Sequence, residues 1–137
     1  MVELVLVNAD EVRPLREALL GDGSPWPGED EARSMHLAIK DKKRLVAAAL
    51  LLHEPRADLG SEVWRLCGPL VLESDRRQGH GRRVAQALQA VAEQRGGGVW
   101  TSVPLAQLAF YSSLGFKALA DDGKGADDMV LSWRPKP

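Results

Sequence analysis

The sequence predicts an α/β (α+β) fold in a single domain, and three observations carry that reading. The run Leu45 to Leu52 is wholly apolar, as befits a central strand covered on both faces. From Gly81 onward, Val84, Ala85, Leu88, Val91 and Ala92 recur at the spacing of one helix face, with Arg83, Gln86, Gln89, Glu93 and Gln94 around the remainder. Short clusters of Gly, Pro, Asp and Ser, rather than long linkers, separate such stretches. A chain of 137 residues with 45% hydrophobic content suits one core.

Taken in order, Glu3 to Val7 alternates as a first strand. Asn8 to Asp10 offer a cap for a helix whose face is Val12, Leu15 and Leu19 and which Gly21 closes. Asp22 to Ala32 holds Gly, Ser, two Pro and four acids and reads as a loop with room for one helical turn. Met35 to Lys40 and Arg44 to Glu54 form a hairpin across Asp41 to Lys43. Alanine at three positions of the second strand also permits a helix, but the turn argues against it. Pro55 to Gly60 then connects to a long strand, Glu62 to Leu72, interrupted by Gly68-Pro69, a pair that a central strand does not ordinarily hold. After the helix from Gly81 comes an apolar strand, Val99 to Val103. Pro104 suits the first turn of a helix with Leu105, Leu108 and Ala109 as its apolar face, and Gly115 stands where a C′ glycine ends it. Phe116 to Ala120 and Asp127 to Trp133 make a last hairpin, with Arg134 to Pro137 as a frayed tail.

The stretch richest in chemistry is Val71 to Gly81, V-L-E-S-D-R-R-Q-G-H-G, an Arg-rich, Gly-punctuated turn between strand and helix. The first amides of a helix lack intrahelical acceptors, and the aligned peptide dipoles place partial positive charge there, so a phosphate satisfies both. Glycine at 79 and 81 lets a diphosphate approach the backbone. The pattern is neither G-x-x-x-x-G-K-[ST] nor G-x-G-x-x-G. With Arg76, Gly79 and Gly81 it reads R-x-x-G-x-G, and it resembles the acyl-coenzyme A loop of the GCN5-related N-acetyltransferases (the GNAT superfamily). Downstream, Ala109 to Phe116 reads A-F-Y-S-S-L-G-F and is similar to that superfamily's F-Y-x-x-L-G-F signature. The resemblance covers Glu62 to Trp133 and matches the N-terminal half only in element order.

That resemblance implies a mixed, mostly antiparallel twisted sheet of six to seven strands with a V-shaped splay between strands 4 and 5, flanked by about four helices. It makes Gly68 and Pro69 the makers of a bulge at the splay. It implies acetyl-coenzyme A as cosubstrate, with cofactor-binding residues Leu70, Val71, Leu72, Arg76, Arg77, Gln78, Gly79, His80, Gly81 and Arg82. The diphosphate would lie on the amides of Arg77 to Arg82, the pantetheine arm along the edge of Leu70 to Leu72, and an oxyanion donor near Leu70 or Val71. His80 reads as a surface residue beside the ligand. Tyr111 becomes the candidate general acid for the leaving thiolate. No base is identified. Glu54 and His53 are guesses, and Glu62 and Glu73 also lie near strand ends. Arg77 stands where many relatives carry glycine, a proline common five residues before Gly79 is absent, and an asparagine often found six residues before the tyrosine is Leu105 here.

The net charge of -1 argues against a general nucleic-acid or membrane surface, although Arg76, Arg77, Arg82 and Arg83 form a local positive cluster. Cys67, the only cysteine, reads as buried packing. Three scattered histidines predict no metal site. With one cysteine, no apolar leader and no run near twenty apolar residues, the expectation is a soluble cytoplasmic protein, monomer or homodimer. The acceptor would be an amine of a small molecule or peptide. Glu29, Asp30, Glu31, Asp121, Asp122, Asp127 and Asp128 are candidates to attract it, or a solvated face, and Trp26 either covers an acceptor or plugs the core. The alternative is a non-catalytic acyl-coenzyme A sensor or partner domain. A nucleotide-binding module is disfavoured because no lysine and hydroxyl stand at P-loop spacing.

Overall fold

A computed structural model describes residues 2–20, 26, 28, 33–119 and 128–135. The elements run β1 (Val2–Val7), α1 (Ala9–Leu20), β2 (Met35–Asp41), β3 (Arg44–His53), β4 (Val63–Val71), α2 (His80–Gln94), β5 (Gly98–Pro104), α3 (Leu108–Ser113), β6 (Lys117–Ala118) and β7 (Asp128–Trp133). Seven strands form one sheet in the order β1-β2-β3-β4-β5-β7-β6. Strands β4 and β5 pair in parallel, while β1 with β2, β2 with β3, β5 with β7 and β6 with β7 are antiparallel. The mixed sheet is the one expected. Three α-helices are described rather than about four, and the segment read as a loop with one helical turn lies almost wholly outside the described residues.

Two compact units are distinguishable, and one comprises Met1–His53 and Leu66–Leu88. Its first helix begins at a reciprocal cap. The Asn8 side-chain oxygen accepts the Glu11 N–H at 2.9 Å, and the Asn8 N–H donates to Glu11 Oε1 at 3.4 Å. Below α1, Val12 and Leu15 pack with Ala38 and Ala48, joined at the rim by Val5, Val7, Leu19, Leu45, Leu70 and Leu72. Val46 to Leu52 are all buried, so the wholly apolar run is the central strand it promised to be. At Gly68 a Cβ would stand 3.2 Å from the Ala48 carbonyl oxygen, and its φ of 93° is left-handed. Only glycine allows β4 this approach.

That interruption does not put β4 at an edge, because the strand lies between β3 and β5. The ladder to β5 registers Val63↔Gly98, Trp64↔Val99 and Arg65↔Trp100 and stops before Gly68. Pro69, which has no N–H to give, therefore sits where no ladder bond to β5 is required.

The second unit comprises Glu54–Arg65 and Gln89–Pro137. Val63, Trp100 and Val130 form a core cluster with Leu59 and Leu119 against it. The Trp100 indole N–H donates to the Glu54 carbonyl at 2.9 Å, and the Arg56 and Arg65 guanidiniums lie 5.1 and 5.0 Å from its ring centroid. Each arginine has its own acid, Asp58 at 2.7 Å and Glu54 at 3.3 Å. The Arg56 guanidinium holds the Asp58 carboxyl below the ordinary aspartate range. At Gly97 a side chain would collide with the Glu62 carbonyl oxygen, which is why α2 turns into β5 through glycines.

Three readings of the C-terminal half need correction. Pro104 ends β5 and precedes a 3-10 turn, Leu105–Gln107, so α3 starts only at Leu108. Leu105 is 63% exposed and Ala109 is exposed, and the buried face belongs to Tyr111 and Leu114 instead. Gln89, expected on the polar face of α2, is buried.

Candidate functional site

The phosphate-loop candidate is built from the end of β4. The Leu72 N–H donates to the Val46 carbonyl at 2.9 Å, which commits that amide to β3. Strand alternation then turns the Val71 N–H toward the opposite edge. A 3-10 turn, Glu73–Asp75, follows and is closed by Asp75 N–H to Leu72 O at 2.8 Å. The Asp75 carboxylate is buried, accepts from the Ser74 hydroxyl at 3.1 Å and pairs with Arg44 at 3.2 Å. Arg76 folds back, its Nε donating to the Val71 carbonyl at 3.3 Å. Neither role of Asp75 nor of Arg76 was visible in the sequence beyond turn propensity and positive charge.

Arg77 adopts φ 66°, a left-handed conformation in which a Cβ is strained. This is the position where many relatives carry glycine, and the backbone explains their choice. Gly79 follows at φ 81° with nothing within 4 Å of where a Cβ would stand. The first α-helical bond of α2 is Arg83 N–H to Gly79 O at 3.0 Å, so the amides of His80, Gly81 and Arg82 precede it and have no acceptor in the helix. The first turn of α2 contains no acid to compete for its positive end. A Cβ on Gly81 would press on Pro69 Cγ and Val71 Cγ2 at 3.2 and 3.3 Å, so glycine seats the helix against β4.

Gln78 and Arg82 are exposed, as expected of a loop open to a ligand. His80 is not the surface residue predicted. It is 7% exposed, and its Nε2 is buried without a hydrogen-bond partner among the described residues.

In the second unit Tyr111 is 2% exposed and makes edge contacts with Phe110 and Phe116, ring centroids 5.0 and 5.6 Å away. Its place is set by the helix end. Phe116 N–H bonds to Tyr111 O at 3.1 Å and Gly115 N–H to Ser112 O at 3.0 Å, with Gly115 at φ 94°. These are the paired bonds of a Schellman motif, and the Tyr111–Phe116 contact is its accompanying apolar clasp. Gln89 Nε2 donates to the Leu114 carbonyl at 3.1 Å, satisfying a helix-end oxygen and its own buried amide. The F-Y-x-x-L-G-F signature is thus a helix terminator that fixes a tyrosine.

The base candidates are differently placed. The Glu54 carboxylate pairs with Arg65, and His53 Nδ1 lies 3.3 Å from Arg33 Nη1. Glu62 and Glu73 are exposed. Trp26 packs on the core, stacks on His36 and has Arg16 over its ring at 5.5 Å. The acidic candidates Glu29, Asp30, Glu31, Asp121, Asp122 and Asp127 lie outside the described residues, as does the Asp128 side chain. Cys67 is buried beside Leu50 and Leu52. Among the described residues no cluster of three metal-ligating side chains and no helix long and apolar enough to cross a membrane is found.

Comparison with known proteins bears on the whole arrangement. In solved structures the chain is similar to an aminoglycoside 6'-N-acetyltransferase complexed with coenzyme A, at 15% identity and TM-score 0.74 over 98% of this chain and 99% of that one. It is similar to Escherichia coli ElaA at 16% identity and TM-score 0.73, covering 98% and 100% of the two chains. The aminoglycoside 6'-N-acetyltransferase from Enterococcus faecium aligns at 15% identity and TM-score 0.75, covering 98% and 99%. No curated protein sequence matches the chain. The sequence model of the acetyltransferase (GNAT) family matches residues 8–116, which span the strand-turn-helix loop and the tyrosine-bearing helix end alike, and the chain belongs to that family.

Proposed function

We propose that the protein is an acetyl-coenzyme A-dependent N-acetyltransferase that transfers acetyl to a primary amine of a small molecule or peptide by direct attack. The observation that carries this reading is the cradle at the start of α2: the amides of His80 to Arg82 that precede the first helical bond, open space at Gly79 and no acid in the first turn. These features fit a diphosphate. Bound donor supplies an activated thioester carbonyl. Of Leu70 to Leu72, Val71 has the amide directed away from β3, and such a donor is worth ~3 kcal/mol where negative charge develops. Arg76, which occupies the Val71 carbonyl, must release it if the pantetheine arm is to bond there.

Tyr111 would donate a hydrogen bond to the departing sulfur. A phenol is a weaker acid than a thiol, so full transfer is uphill by ~2 kcal/mol, and the bond is of most use while the C–S bond breaks. Deprotonating an alkyl ammonium near pH 7 costs ~4–5 kcal/mol. The Glu54 carboxylate is already engaged by Arg65, which leaves water or a desolvated amine site for the base.

A second reading, an acyl-coenzyme A sensor, is favoured by Leu105, an exposed apolar residue where relatives often carry asparagine. Calorimetry with acetyl-coenzyme A, coenzyme A and ATP, followed by thiol-release assays over polyamines, amino acids, aminoglycosides and peptide N-termini, tests both. Tight binding of the coenzyme with release on one amine class supports the enzyme. Binding without release across the panel supports the sensor, and binding of ATP alone overturns both.

A further inference from the structure

Among the described residues three that are not glycine have left-handed backbone: Lys42 at φ 52°, Lys43 at φ 68° and Arg77 at φ 66°. All three are cations, and all three are exposed. Their positions call for other residues. Lys42 and Lys43 form the two-residue turn of the β2–β3 hairpin, where Asn-Gly is the relaxed choice, and Arg77 stands where glycine is. Backbone strain of this kind persists where the side chain does something that the relaxed residue cannot do.

One ion pair ties the three together. Arg44, the residue after Lys43, reaches Asp75, two residues before Arg77, at 3.2 Å. The hairpin tip and the phosphate loop therefore stand side by side within one unit. The pair cancels its own charge. Lys42, Lys43 and Arg77 have no acidic partner among the described residues, so three uncompensated cations flank a neutralised pair. Arg76 is turned to the Val71 carbonyl in the free protein and is set apart from these three.

The diphosphate of the donor is already served by the amides at the start of α2, which leaves this group for a different anion. Three exposed cations suit a phosphate monoester, with a charge near -2 and three acceptor oxygens. Coenzyme A carries one such group, on its ribose. We propose that Lys42, Lys43 and Arg77 form a phosphomonoester subsite that takes the ribose phosphate of the donor and sets a preference for coenzyme A over dephospho-coenzyme A. This rests on the acyl-coenzyme A reading above.

Calorimetry at constant ionic strength, with coenzyme A and dephospho-coenzyme A, tests it on the wild type, on Lys42→Asn/Lys43→Gly and on Arg77→Gly. The wild type is expected to bind coenzyme A about tenfold more tightly. Each variant relaxes its backbone, so its melting temperature holds or rises while the preference shrinks toward unity. Inorganic phosphate is expected to weaken coenzyme A binding more than dephospho-coenzyme A binding in the wild type and equally in the Lys42→Asn/Lys43→Gly variant. Equal wild-type affinity for the two coenzymes, a preference unchanged in the variants, or equal competition by phosphate in the wild type overturns the subsite and leaves the transferase standing. Failure to bind either coenzyme overturns the donor reading and the subsite with it.

Discussion

Tyr111 is positioned by the backbone bonds that end its helix and by the rings packed on it. Its carbonyl takes the Phe116 N–H, its ring is clasped by Phe110 and Phe116, and the side chain is 2% exposed. Packing alone would keep a tyrosine here, so the chemistry must be tested with the ring retained. Tyr111→Phe is expected to lower kcat at least about tenfold with unchanged affinity for the coenzyme, because a hydrogen bond that strengthens only at C–S cleavage affects the chemical step alone. Steady-state kinetics with an accepted amine, paired with calorimetry, measures this, and near wild-type turnover would remove Tyr111 from the mechanism. His80 is the other residue whose burial changes its reading. A buried ring nitrogen without a partner costs ~1–3 kcal/mol, so His80→Leu is expected to leave stability unchanged or raise it by ~1 kcal/mol in urea denaturation. A clear loss would show that His80 is satisfied in solution.

At the scale of elements, helix ends carry more of the design than helix faces. Gly115 combines φ 94° with a Trp133 Cδ1 that a Cβ would meet at 3.2 Å. Gly115→Ala is therefore expected to destabilise the fold by ~2 kcal/mol, from left-handed strain and displacement of the indole, with a lower denaturation midpoint at unchanged slope. The sequence showed this helix end clearly, because F-Y-x-x-L-G-F places its glycine at C′. It misled about the start. Leu105, Leu108 and Ala109 match a helical face at 100° per residue, but the chain passes first through a 3-10 turn at Leu105–Gln107, where each residue rotates ~120°, and the buried stripe moves to Tyr111 and Leu114. Gln89 was misplaced for a different reason. Periodicity puts amides outside, and only the tertiary fold reveals that the Leu114 carbonyl awaits a donor.

For the molecule as a whole, the loop proposed to hold the donor was legible in the sequence and an acceptor site was not. A diphosphate cradle of the proposed kind uses backbone amides and left-handed positions that favour glycine, and these occupy consecutive residues with fixed spacing, Arg76 to Gly81. The first and last hairpins and the central place of β3 were legible from turn chemistry and the apolar run, whereas the mixed sheet was implied only by the family resemblance. Acceptor recognition depends on side chains drawn from separate segments, and no local spacing marks them. The pairing of Arg44 with Asp75, thirty-one positions apart, is equally silent in the sequence. A ligand that binds only the folded chain stabilises it by mass action, which converts the donor assignment into a property of the whole protein. At coenzyme A concentrations about 100 times Kd the expected gain is ~2.7 kcal/mol. For a domain of this length, with an unfolding entropy of roughly 2 cal/mol/K per residue, that is a rise in Tm of ~9 °C. ATP lacks the pantetheine arm, and a helix N-terminus alone holds it weakly, so the expected shift with ATP is a degree or two at most. Thermal unfolding with each ligand over a concentration series separates the cases: a shift with coenzyme A that grows logarithmically supports the donor site, whereas equal shifts with ATP would reduce the loop to a general phosphate cradle.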